Sequence, residues 1–135
     1  MKILLADTGP LYAAFDSGDQ FHQRALQEIT KINAQGFSVQ LTYPTLSEAY
    51  SLVMYRFSPA KALDFLEQLK QTTGFLSPLT EDYKQAFALL IRFGDQRLSL
   101  FDAVLHCVSQ RLNHPVWTYD FHFDLMQAQV CKLED

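Results

Sequence analysis

The chain lacks a basic excess: 11 lysines and arginines stand against 15 acids, for a net charge of −4. Proteins that hold nucleic acid by charge alone present clusters of Lys and Arg to the phosphates, so phosphate binding here would need help from a cation. No run approaches the ~20 apolar residues of a membrane span, and the opening Met-Lys-Ile-Leu-Leu-Ala reaches Asp7 too soon for a secretory signal core, so the expectation is a cytoplasmic protein without membrane contact. Only Cys107 and Cys131 are present, with no CxxC spacing. That excludes a thiolate zinc site and a disulfide scaffold and leaves both as buried apolar fillers. Internal repeats, linkers and low-complexity runs are missing too.

What is there is the composition of a folded globular protein, 48% apolar and 19% charged, in a length that suits one domain over residues 1–135. Short β-leaning runs occur at 2–6, 38–42, 75–77, 115–119 and 129–131. Between them apolar residues recur at helical spacing: Phe21, Ala25, Ile29 and Ile32; Leu46, Ala49, Tyr50 and Val53; Ala62, Phe65, Leu66 and Leu69; Tyr83, Phe87, Leu90 and Ile91; Phe101, Val104, Leu105, Val108 and Leu112. Ser58-Pro59 reads as a helix start, and Gly36, Gly74 and Gly94 as stops. Strands alternating with helices predict an α/β fold with a mainly parallel sheet covered on both faces.

In such sheets ligands sit beyond the carboxyl ends of the strands, and acids fall there. Asp7 ends the first strand, Glu48 follows the second by a loop and a turn, Asp102 lies in the first turn of a helix starting near Ser99, and Asp120 ends Val116-Trp117-Thr118-Tyr119-Asp120. Each has a plain alternative. Thr45-Leu46-Ser47-Glu48 and Ser99-Leu100-Phe101-Asp102 match the capping-box pattern, and Asp7 and Asp120 could fix the turns they stand in. Brought to one sheet edge, however, the four would repel one another unless a cation compensates. An all-carboxylate set suits Mg²⁺ or Mn²⁺ better than zinc. A phosphoaspartate enzyme of the haloacid-dehalogenase type would want a second Asp where Gly9 stands, and a receiver domain would want paired acids and a late loop lysine.

Four segments, in order, carry a resemblance: Leu5-Ala6-Asp7-Thr8-Gly9-Pro10-Leu11-Tyr12-Ala13-Ala14 running on through Asp19-Gln20-Phe21-His22-Gln23-Arg24-Ala25; Thr45-Leu46-Ser47-Glu48-Ala49; Leu98-Ser99-Leu100-Phe101-Asp102-Ala103; and Thr118-Tyr119-Asp120-Phe121-His122-Phe123. Together they resemble the PIN-domain nucleases, and most closely the small VapC-like toxins of bacterial toxin–antitoxin pairs. The resemblance implies a PIN-like three-layer α/β/α sandwich and a ribonuclease using one or two Mg²⁺ or Mn²⁺ ions. By position it implies Asp7 and Asp102 as principal ligands, Asp120 holding a second ion or a metal-bound water, and Glu48 orienting or activating the attacking water. Thr8, Thr118 and Asp124 are accessory candidates. It also implies an RNA substrate, a small antitoxin partner and a homodimer.

A catalytically silent PIN-like module that only binds RNA or protein is the second reading. Arg56, Lys61, Arg92 and Arg97 are candidates for phosphate contact. Tyr50, Tyr55 and Phe57 fit the core, a dimer face or an antitoxin groove. His106 reads as a hydrogen-bonded structural histidine, and His22 as support for the loop after Asp19.

Overall fold

In the first strand successive side chains point to opposite faces, and all three of its last residues are fully buried: Leu4 and Ala6 join one hydrophobic cluster, Leu5 the other. A strand buried on both faces must lie inside a sheet covered by helices on each side. The computed structural model, which describes residues 2–133, has this arrangement. The order is β1 (Lys2–Ala6), α1 (Thr8–Phe15), α2 (His22–Ala34), β2 (Phe37–Thr42), α3 (Tyr43–Arg56), α4 (Pro59–Thr72), β3 (Gly74–Leu76), α5 (Thr80–Arg92), α6 (Leu100–Leu112), β4 (Val116–Trp117) and α7 (His122–Leu125). The sheet is parallel throughout, in the order β3-β2-β1-β4. Helices α1 to α4 carry the cluster on one face, with Ile32, Val53 and Phe65; α5 and α6 carry the other, with Ala86, Val104 and Val108. The three-layer α/β/α sandwich expected from the sequence is the observed one.

Local chemistry explains the boundaries. The Ser58 hydroxyl accepts the amide of Lys61 and Pro59 opens α4, while Asn113 ends α6 in the left-handed conformation that Asn tolerates. Three expectations are corrected. Helix α1 escaped the search for period because its eight residues, Thr-Gly-Pro-Leu-Tyr-Ala-Ala-Phe, are apolar nearly all round. The run at 115–119 pairs only through Val116 and Trp117, and 129–131 adds a single bridge between Val130 and Val116. Tyr55 and Phe57 are exposed, not core, and so are Phe87 and Ile91. Of the cysteines, Cys107 is buried and Cys131 partly so.

The α5–α6 pair is clamped by an ion pair in which Arg111 donates from Nε and Nη2 to the Asp82 carboxylate at 2.9–3.2 Å. Asp82 also accepts the Leu79 amide at 2.8 Å and so caps α5. Burial pushes the Asp82 carboxyl upward, but the guanidinium and the amide outweigh it and hold its pKa below the usual range. Arg111→Met keeps the aliphatic stem and leaves Asp82 uncompensated. The expected loss is about 2 kcal/mol at pH 7, below the figure for a fully enclosed pair because Arg111 is one-third exposed. A carboxylate with a depressed folded pKa contributes its stability above the unfolded pKa and loses it as pH falls. The gap between variant and parent in urea unfolding therefore closes below about pH 4.

Candidate active site at the sheet edge

The chain leaves β1 toward β2 on one side and returns to β4 on the other, so the gap between the carboxyl ends of β1 and β4 is the topological switch point where α/β sheets open a crevice. An open cavity of about 710 Å³ lies there, and Asp7, Glu48, Asp102 and Asp120 all line it. The registers Leu5 to Val116 and Ala6 to Trp117 bring the two strand ends side by side. The residues that follow, Asp7 after β1 and Thr118 after β4, thus meet although 111 positions separate them.

Asp7 is the N-cap of α1. Its Oδ1 accepts the Thr8 amide at 2.8 Å and its Oδ2 the Thr118 hydroxyl at 2.8 Å. The same hydroxyl oxygen accepts the amide of Asp120 at 3.0 Å, so Thr118 fixes both acids. Thr8 donates its hydroxyl to Glu48 Oε1 at 2.5 Å. Glu48 is not the cap residue its motif suggested. Helix α3 starts earlier, with Thr42 as N-cap accepting the Thr45 amide, which places Glu48 inside the helix with its carboxylate free for other partners. Ser99 does cap α6 by accepting the Asp102 amide at 3.1 Å. The Asp102 side chain turns instead to Asp120, with which it shares a hydrogen bond.

Crowding and burial dominate the electrostatics. Asp7 is 6% exposed and Asp102 8%. Burial, opposed only in part by the bonds from Thr118 and Thr8, and aided by the charges of Glu48 and Asp120, pushes the Asp7 carboxyl up to about 6. Burial, the charge of Asp7, and the neighbouring Asp120 and Glu48 drive Asp102 far above the carboxylate range. Asp120 goes the other way. Burial raises it, but the amide and ring of His122 and the proton held by Asp102 outweigh this and lower its pKa. Asp102 therefore keeps a proton at neutral pH that a cation would displace.

His122 was not singled out from the sequence for this site. Its Nδ1 lies 2.7 Å from Asp120 Oδ1 and its Nε2 2.6 Å from the Gln96 carbonyl, so both ring nitrogens face an acceptor. One ligand atom each from Asp102, Asp120 and His122 lies within 4.8 Å of the others. Because both ring nitrogens of His122 are engaged, it orients Asp120 as a histidine behind a ligand does, and the oxygen donors are left for the cation. The all-carboxylate donor set fits a hard divalent ion.

The other candidates separate cleanly. Asp124 is exposed and does not line the cavity. Arg56 does line it, lying over the Tyr12 ring at 4.9 Å; Arg92 lines a different hollow, and Lys61 and Arg97 line neither. His22 ties its Nδ1 to the Ala13 carbonyl, supporting the loop as expected. His106 is buried, but among the described residues its Nδ1 has no hydrogen-bond partner, contrary to expectation. Phe21, read as core, caps α2 and faces the cavity, as do Tyr119 and Phe121. A strongly amphipathic helix such as α2 could have hinted that Phe21, at its edge, need not be buried. Glu28 accepts from Trp117 Nε1 at 3.1 Å and from the Tyr119 hydroxyl, which locks the wall of the cavity to α2.

Comparison with known structures places this geometry. A chain of Mycobacterium tuberculosis described as VapC20, a sarcin–ricin loop cleaving toxin, superposes with a TM-score of 0.79 at 19% identity, covering 93% of this chain and 95% of that one. VapBC-1 from nontypeable Haemophilus influenzae gives 0.73 at 14% identity, with 96% and 97% covered. VapBC2 from Rickettsia felis, bound to a DNA fragment from its promoter, gives 0.72 at 12%, with 96% and 97% covered. No curated protein matches in sequence. At these identities the structural matches establish the fold, and the family rests on the sequence itself: the family model described as PIN domain matches residues 4–129, a span that takes in Asp7, Glu48, Asp102 and Asp120, and the chain belongs to the PIN domain family.

Proposed function

We propose that this chain is a Mg²⁺- or Mn²⁺-dependent endoribonuclease and the toxin of a type II toxin–antitoxin pair. The observation that carries the reading is the convergence of Asp7, Glu48, Asp102 and Asp120 on one cavity, where burial and mutual charge raise the pKa of both Asp7 and Asp102. Structure without function does not explain such a cluster, since like-charged acids at one point destabilise the fold that gathers them. A bound divalent ion would supply Lewis acidity, neutralising phosphate charge and making water a nucleophile near neutral pH.

The protein's own groups do the rest. Asp7 and Asp102 would hold the cation, and Asp120, pinned by His122 and Thr118, would complete its surroundings. Glu48, fixed through Oε1 by Thr8, takes the proton of the attacking water on its other oxygen. The water oxygen bonds to phosphorus, the bond from phosphorus to the leaving oxygen breaks, that oxygen takes a proton from solvent water, and Glu48 returns its proton to solvent. Arg56, on the wall, meets the charge of the phosphate.

Toxin–antitoxin complexes among the structural neighbours support a small antitoxin as partner, and the exposed Tyr55 and Phe57 offer it, or a second copy, an apolar face. No described helix is long and apolar enough to cross a membrane, which agrees with work in the cytoplasm. The silent binding module remains the alternative reading. The test is incubation of a mixed pool of structured RNAs with Mn²⁺ or Mg²⁺, with a chelator and folded Asp7→Asn as controls and end-mapping of products. Cuts that need both metal and Asp7 support the reading. Absence of cutting, with Mn²⁺ bound no better by the parent than by Asp7→Asn, moves the chain to the silent module.

A further inference from the structure

The acidic cavity has an aromatic rim whose rings are braced from below and open above. Phe121, the residue next to Asp120, is 61% exposed, and its other side rests on the His122 ring at 4.2 Å and 29°. Across the mouth Phe21, 37% exposed, leans on Tyr119 at 5.2 Å, and Tyr55 is 82% exposed. All three line this cavity. Two guanidinium groups accompany them, Arg24 over Tyr119 at 4.2 Å and Arg56 over Tyr12 at 4.9 Å.

A groove for a peptide helix would offer a continuous apolar floor, and one for a strand an open sheet edge. Here the floor is carboxylate, and the rings of the rim stand near two guanidinium groups, the combination of π-faces and cations that meets the bases and phosphates of a nucleic acid strand. Any base has a π-face that stacks on such a ring. In a duplex both faces of an interior base are already covered, whereas bases in loops and single strands can turn outward.

We infer that Phe121, Phe21 and Tyr55 are stacking platforms for unpaired bases on either side of the phosphate held over the acidic cluster, with Arg24 and Arg56 on the flanking phosphates. This inference rests on the ribonuclease reading and names the side chains that would hold the bases beside the cut. These three rings, rather than hydrogen bonds to base edges, then supply the discrimination between paired and unpaired strands.

The test uses an oligoribonucleotide carrying 2-aminopurine, single-stranded or annealed to its complement, and the full chain as Asp7→Asn so that binding is read without cutting. Expected are at least tenfold tighter binding of the single strand and quenched 2-aminopurine fluorescence. Phe121→Leu in the same background should weaken binding about fivefold or more and relieve the quench, and Phe121→Tyr should restore both. Tyr55→Leu gives a second reading at a side chain that is 82% exposed, where a substitution disturbs packing little. Equal affinity for duplex, or quench and affinity unchanged in both leucine variants, overturns the proposal. Failure to bind either RNA overturns it as well and assigns the rim to a protein partner. Incubating the unmutated chain with Mn²⁺ and the same single strand separates the two ideas. Stacking without metal-dependent cutting keeps the platforms and removes the nuclease, while cutting indifferent to Phe121→Leu removes the platforms alone.

Discussion

Asp102→Asn is expected to lose RNA cleavage by on the order of 10³-fold or more, the scale for removing one group that acts on charge in the transition state, while the metal-free protein becomes more stable. Few substitutions move activity and stability so far in opposite directions. The cause is local: Asp102 is buried beside Asp7, Asp120 and Glu48, and its pKa is driven up by burial and by their charge. A carboxyl whose folded pKa is raised stabilises the fold fully only below its unfolded pKa, and the loss grows as pH climbs toward the folded one. The stability gap between variant and parent should therefore be absent at pH 4, widen through neutrality, and flatten only in the alkaline range. Asp7→Asn should follow the same course over a narrower window, from about pH 4 to about 6, reaching roughly 3 kcal/mol. Thermal unfolding across pH, beside cleavage of a mapped RNA, checks both halves. A variant that cuts normally, or that is less stable at pH 8 without metal, would sink the assignment of Asp102 to the centre.

The second large effect is the reverse experiment on the unmodified chain. Mn²⁺ at a hundred times its dissociation constant should stabilise by about 2.7 kcal/mol, which for a domain of this size raises the unfolding midpoint by about 10 °C at pH 8. Binding must expel the proton of Asp102 and, toward pH 6 and below, that of Asp7 as well, so affinity falls as pH drops. At a fixed Mn²⁺ concentration the shift should be small at pH 5 and absent at any pH in Asp102→Asn. A shift of equal size at pH 5 and pH 8 would place the metal elsewhere on the surface.

Much of this was readable before the structure. Strand β1 and the helices from α2 to α6 announced themselves by period, and the four acids by position at strand ends and helix starts. What failed did so for physical reasons. Helix α1 has no polar face, and period needs contrast. The boundary of α3 was set by Thr42, whose hydroxyl captured the cap role that Thr45 and Glu48 seemed to hold. His122 was invisible because its partners, Asp120 and the Gln96 carbonyl, meet only when the loop before α6 folds over the site. The aromatic rim was misjudged because hydrophobicity alone does not distinguish a ring that fills a core from one that waits at a cavity mouth. Phe21 and Tyr55 have the same composition signature as Phe65 and Tyr12, and opposite surroundings.

The pairing of β1 with β4 brings together residues from opposite ends of the folded unit, and Thr118 must reach Asp7 before either acid is held in place. Synthesis proceeds from the amino end, so a growing chain possesses Asp7 and Glu48 long before it possesses their counterparts. On the proposed nuclease reading, the cavity of a nascent chain lacks Asp120 until that residue has emerged and the last strand has docked, and the long-range closure that makes folding slow also delays the moment at which such a product would cut RNA.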